Sequence, residues 1–185
     1  MRLFVAVNLP AKEQQQLAAL LDVLRATNDD VRWLDPGSLH ITLKFLGEVG
    51  DAAVPAVRAA VQAAASGRPA FDIELGGFGT FPSPARARVF WLGVQAPREL
   101  FELQTSVEQQ LSPLGYATEK RRFQAHLTLG RAHARTVLDR AAVDRIGAHV
   151  GYKAKVRIDS LDLMRSQLSP RGARYERIAA AMLKT

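Results

Sequence analysis

Apolar residues recur along this chain with two spacings, every second position in some stretches and every third or fourth in others, and the switches between them predict its elements. Leu3, Val5 and Val7 mark a first strand over residues 2–7. Leu17, Leu20, Leu21 and Leu24 form one face of a helix over 11–26, whose first turn tolerates Pro10. A short strand at 31–34 and a turn at Asp35-Pro36-Gly37 lead into a strand over 39–46. On it Leu39, Ile41, Leu43 and Phe45 point one way, and His40, Thr42 and Lys44 the other. Asp51 is placed to cap a second helix over 52–65 with Val54, Val57 and Val61 inward. Phe71 to Leu75 alternates as a strand, and the glycine- and proline-rich stretch Gly76 to Pro84 reads as an interlobe loop. A strand over 88–94, a helix over 97–112, a strand over 123–131 and a helix over 136–147 follow. Strands over 150–165 and 173–182 are expected to pair as a hairpin across Ser169-Pro170-Arg171-Gly172. Runs of strands interleaved with helices predict an α+β fold in which two antiparallel sheets, each covered by helices on one face, meet at a cleft. At 185 residues the chain reads as one domain of two lobes.

One pattern occurs twice: His40-Ile41-Thr42-Leu43 and His126-Leu127-Thr128-Leu129. Each copy lies in an apolar run that reads as a strand and is followed by a helix, which suggests a duplication. Positions i and i+2 of a strand share a face, so each copy presents an imidazole and a hydroxyl together. Two imidazoles across a cleft suit acid–base chemistry near neutral pH, because one can accept a proton while the other donates one. In-line displacement at phosphorus needs both jobs. Thr42 and Thr128 can donate to non-bridging phosphate oxygens, and a nearby cation would stabilise the transition state. Arg131 is the nearest candidate along the chain, but strict alternation sets it opposite His126 and Thr128, so it reaches the site only where the strand bends or bulges near Gly130.

Other chemistries find less support. There is no cysteine, which excludes thiolate ligands and a cysteine nucleophile and fits a cytoplasmic location. A metal would need carboxylates such as Glu48, Asp51, Asp159 or Asp162 to complete two histidines, and no zinc-binding helix motif is present. No Gly-x-Ser-x-Gly elbow supports a serine hydrolase. His133 and His149 have no matching context and read as surface or structural residues. No run approaches the roughly 20 apolar residues that span a membrane, and the first residues are too soon interrupted by Asn8 and Pro10 for a signal peptide. A formal charge of +7 favours polyanions. Lys44 follows the first motif and Lys120, Arg121 and Arg122 precede the second, which makes them candidates for RNA contact.

The sequence resembles the 2H phosphoesterase superfamily and, within it, the bacterial and archaeal RNA 2′,3′-cyclic phosphodiesterases, also called 2′-5′ RNA ligases. The resemblance runs almost end to end, through Arg2 to Val7 with Leu9-Pro10, Trp33 ahead of His40 to Gly47, Gly77 to Pro82, Arg88 to Val94, Phe123 to Arg131, and Ser166 to Pro170 with Gly172 and Tyr175. Ala125 and Gly130 depart from the proline and alanine usual in that family. The resemblance implies a two-lobed fold of pseudo-twofold symmetry with one His-x-Thr strand per lobe. It implies hydrolysis of RNA 2′,3′-cyclic phosphate ends to 2′-phosphates, with tRNA fragments as candidate substrates, with no metal or other cofactor, and reversible ATP-independent 2′-5′ joining. It makes His40 and His126 the acid–base pair and Thr42, Thr128 and Arg131 the phosphate-binding residues. The assignment we carry forward has His126 activating water and His40 protonating the leaving ribose oxygen. A monomer without membrane association is expected. Two alternatives stay open: an RNA-binding module with vestigial motifs, and a related activity on small cyclic nucleotides.

Overall fold

The computed structural model describes residues 1–169 and 172–185. Nine strands and four α-helices alternate among the described residues. The first helix, α1 (Ala11–Thr27), lies between β1 (Arg2–Asn8) and the short β2 (Val31–Trp33). After β3 (His40–Glu48) comes α2 (Val54–Ala65), then β4 (Phe71–Phe81) and β5 (Val89–Gln95). Helix α3 (Arg98–Leu111), β6 (His126–Ala132), α4 (Arg140–Ala148) and β7 (Ala154–Ile158) follow, and β8 (Ser160–Ser169) and β9 (Gly172–Met182) complete the order. The strands form two antiparallel sheets, β3-β1-β8-β9 and β2-β6-β5-β4-β7. Each His-x-Thr strand pairs with the strand that opens its own half, β3 with β1 and β6 with β5. The fold is therefore α+β with two related lobes, as the periodicities predict.

The halves exchange strands. β4 follows the first half in sequence yet sits between β5 and β7 in the second sheet. β8 follows the second half yet pairs with β1 in the first. Most buried apolar residues of both sheets and all four helices form one continuous cluster, which includes Val5, Leu21, Ile41, Val57, Phe90, Leu103 and Leu127, while Phe4, Ala6 and Met164 form a small second one. Covering one face of each sheet this way leaves the opposite faces free to border the cleft. β3 and β6 contact one another directly, which brings the two motifs together.

Four details depart from the periodicity. Residues 76–81, expected as loop, continue β4 as strand. Their glycines fit a ladder rather than a turn. Gly77, at φ 81°, lies in a bulge opposite Leu92 to Val94, and the Gly93 backbone approaches Gly76 so closely that a Cβ would lie 2.3 Å from its carbonyl oxygen. The strand expected over 150–165 is two strands, broken at Asp159, because its first part pairs with β4 and its second with β1. α4 begins at Arg140 rather than 136, since Asp139 caps it by accepting from the Ala142 amide at 2.7 Å. Asp51 opens a 3-10 turn and makes no side-chain cap. β8 and β9 pair from Ser160 to Met182 as expected of a hairpin, while its turn residues Pro170 and Arg171 lie outside the described residues.

Candidate active site

Bulges decide which residues reach the cleft. On β3 the register against β1 runs Ala6 to Thr42 and then Val5 to Lys44, so Leu43 is the extra residue. On β6 the register against β5 runs Trp91 to Thr128 and then Phe90 to Gly130, so Leu129 is the extra residue. A bulge shifts the parity of every residue beyond it. The two strands consequently share one burial sequence: half-buried histidine, buried aliphatic, half-buried threonine, two buried residues, then an exposed one. The exposed residue is Phe45 on β3 and Arg131 on β6. Arg131 is thereby returned to the face of His126 and Thr128.

The same shift moves Lys44 the other way. Alternation sets it beside His40 and Thr42, but it lies on the core face and is only 6% exposed. Its ammonium donates to Glu108 Oε2 on α3 and, at 2.7 Å, to the Ala117 carbonyl oxygen. The expectation that Lys44 meets RNA is corrected on this ground: its charge is enclosed and already paired, and it ties the second lobe to β3. Lys120, Arg121 and Arg122 are exposed on the segment between α3 and β6. Arg121 lines a surface groove of about 500 Å³ with Gln104, Glu108 and Phe123, on the α3 side.

Both imidazoles are anchored alike. His40 Nδ1 lies 2.8 Å from the Ser38 carbonyl oxygen, and His126 Nδ1 lies 2.8 Å from that of Gln124. A carbonyl oxygen only accepts, so each Nδ1 must carry a hydrogen. In the neutral ring the lone pair is then on Nε2, which can take a proton and later return it. Aromatic rings fix the other sides. His40 sits 4.8 Å from Phe4 and 4.9 Å from Tyr175, the latter edge-on. His126 sits 4.9 Å from Phe81, edge-on, and 6.4 Å from Trp91. Trp91 itself occupies space that only a glycine opposite permits, since a Cβ on Gly79 would lie 2.1 Å from the indole.

The electrostatics follow from this enclosure. Burial pushes His40 down to about 4, the Ser38 hydrogen bond opposes the shift, and the charges of Arg131 and His126 add to it. Burial likewise lowers His126, against its bond to Gln124, and Arg131 lowers it further. Arg131 therefore acts on both rings. The structure brings His40, His126 and Arg131 into mutual electrostatic reach, with Thr42 and Thr128 on the same faces. Among the described residues no three histidine or carboxylate side chains cluster as metal ligands, and no helix is long and apolar enough to cross a membrane. His133 and His149 take no part: His133 belongs to the turn after β6, and His149 ends α4.

Alternation did not single out Phe4, Tyr175, Phe81 and Trp91, which brace the imidazoles, or Glu108, which neutralises Lys44. It also passed over Arg32, although Val31-Arg32-Trp33 shows the buried-exposed-buried pattern of an edge strand.

This geometry has close parallels. Residues 10–170 match the 2′-5′ RNA ligase superfamily. A protein of Methanothermobacter thermautotrophicus named RNA 2′,3′-cyclic phosphodiesterase is 33% identical, over 94% of this chain and 94% of its own. One of the same name from Archaeoglobus fulgidus is 34% identical over 95% of this chain and 97% of its own. Among solved structures, a Thermus thermophilus protein superposes with a TM-score of 0.79 at 26% identity, covering 100% of this chain and 98% of that one. Escherichia coli LigT in complex with 3′-AMP superposes with a TM-score of 0.76 at 27% identity, over the same shares.

Proposed function

The chain belongs to the 2′-5′ RNA ligase superfamily, and on that premise we propose that it opens RNA 2′,3′-cyclic phosphate ends to 2′-phosphomonoesters by acid–base catalysis between His40 and His126, without a metal. The observation that carries this reading is the matched pair of Nδ1-anchored histidines, one per lobe, both under the influence of Arg131. Each ring offers Nε2 to the cleft. A cyclic phosphate between them would receive hydrogen bonds from Thr42 and Thr128 and charge from Arg131, which matches the negative charge that builds on the phosphoryl oxygens in the transition state.

The proton inventory closes. One Nε2 takes a proton from the attacking water. The other, protonated, gives one to the 3′ ribose oxygen as its bond to phosphorus breaks. The product is a 2′-phosphomonoester, and the two rings have exchanged protonation states. We assign His126 to the water and His40 to the leaving oxygen. That assignment requires His40 to be charged, although burial pushes it down to about 4. The phosphate itself supplies the remedy, because an anion beside the imidazole favours the protonated ring. The acid is thus armed by its substrate. The same opening with an RNA 5′-hydroxyl in place of water, one ring taking its proton and the other protonating the departing 3′ oxygen, forms a 2′-5′ phosphodiester, the joining reaction that the family name describes, and its reversal cuts that linkage back to the cyclic phosphate.

The test uses an oligonucleotide ending in a 2′,3′-cyclic phosphate, incubated with the protein in excess EDTA. The expected product is the 2′-phosphomonoester, distinguished from the 3′ isomer by chromatography against standards. Salt-sensitive binding without turnover would instead favour an RNA-binding module.

A further inference from the structure

The second sheet carries an extra strand beside its His-x-Thr strand, and that strand brings a second guanidinium to the cleft face. In the pairing of β2 with β6, Arg32 stands directly opposite Arg131 and Trp33 directly opposite Gly130. Residues directly opposed in an antiparallel pair project to the same side. Trp33 and Gly130 face the core, where a Cβ on Gly130 would lie 2.6 Å from the Trp33 ring. Arg32 and Arg131 therefore project together to the other side, the side of His126 and Thr128, and both are exposed. Like charges so opposed destabilise a bare sheet. Neither arginine has a carboxylate within ion-pair distance among the described residues, whereas Arg25, Arg98, Arg140, Arg157 and Arg165 all do.

The two differ in reach. Arg131 lowers both His40 and His126, while Arg32 bears on neither. Adjacent strands lie about 4.8 Å apart, so Arg32 stands one strand farther from the reacting centre. A cyclic phosphate occupies the 3′ end of an RNA, and the only further phosphates lie on its 5′ side. Resting on the function proposed above, we propose that Arg32 binds the first internucleotide phosphodiester on the 5′ side of the terminal nucleotide, and so favours RNA ends over free mononucleotides. A guanidinium suits this task because it grips two phosphate oxygens at once.

The experiment compares kcat/KM for a nucleoside 2′,3′-cyclic phosphate with that for the dinucleotide that ends in the same group. The wild type is expected to favour the dinucleotide, and Arg32→Gln to shrink that preference about tenfold. Arg32→Lys should recover part of it. Arg98→Gln, which removes an exposed charge from α3, should leave the preference intact. The slope of log kcat/KM for the dinucleotide against log salt should fall by about 0.7 in Arg32→Gln, the share of one single-strand phosphate contact. Replacing the internucleotide phosphodiester with a neutral methylphosphonate should erase the wild-type preference and leave nothing for Arg32→Gln to remove. An unchanged preference in Arg32→Gln overturns the inference, as does an equal loss on both substrates. A wild type that turns over neither substrate overturns the proposed function, and this inference with it.

Discussion

The two His-x-Thr strands are the same device carrying different cargo. Each holds its histidine by a carbonyl two residues upstream, and each bulges after its threonine. Beyond the bulge they part. β3 places Lys44 inward and Phe45, 69% exposed, outward; β6 places Gly130 inward and Arg131 outward. The backbone geometry of the reacting groups is thus preserved in duplicate, while the residues just past the bulge are free to differ. The first lobe surrounds its histidine with Phe4 and Tyr175, and the second surrounds its own with Phe81 and Trp91 but adds the cation. Under the mechanism proposed above, a phosphate in such a cleft would meet proton transfer from both sides and charge mainly from one.

The largest expected effect tests whether the two histidines are equivalent. His40→Ala and His126→Ala should each lower kcat at least about a thousandfold. A substrate with sulfur replacing the 3′-leaving oxygen separates them, because a thiolate departs without a proton. It should restore much of the activity to the variant lacking the acid, assigned to His40, and none to the variant lacking the base. Rescue of His126→Ala alone would reverse the assignment.

The buried side of the comparison comes next. Lys44→Met leaves Glu108 enclosed without its partner and should cost about 3–5 kcal/mol in chemical denaturation. Lys44→Met combined with Glu108→Met should regain most of it. Near-additive losses in the double variant would show that the pair does not act as a unit.

The smallest effect concerns pH. His40 stays neutral in the folded chain down to about pH 4, whereas the unfolded chain takes up its proton near 6.5. Folding stability therefore rises with pH through that window and falls as pH drops. Between pH 7 and 5 this group alone removes about 2 kcal/mol. His126, also lowered, acts in the same direction. His40→Asn should show a shallower decline over that interval, and an identical decline would mean that the ring is not desolvated as described.

Most of the elements were legible because their periods are clean: Leu17, Leu21 and Leu24 for α1, and Leu100, Leu103, Val107 and Leu111 for α3. The motif pair was legible because it repeats. What alternation could not supply was parity beyond a bulge, since an extra residue leaves no compositional mark. Lys44 and Arg131 were both set on the wrong face by the same cause, although Gly130 flagged the second case. Gly76, Gly77 and Gly79 suggested a loop because glycine marks turns, yet here Gly79, with Gly93 on the facing strand, lets neighbouring groups approach across a ladder. The break at Asp159 was hidden because both strands it separates mix apolar and polar residues in strand fashion, and only their different partners divide them.

The exchange of β4 and β8 bears on how such a protein can be taken apart. A cut between β4 and β5 yields a first fragment holding β1 and β3 of one sheet together with β2 and β4 of the other. Its complement holds the remaining strands of both. Neither fragment owns a whole sheet, so each would expose bare ladder edges that the other is shaped to fill. The sequence repeat and the structural lobes are not divided along the same line. The two lobes are interlocked, and the halves of the chain are expected to regain their form only in each other's company.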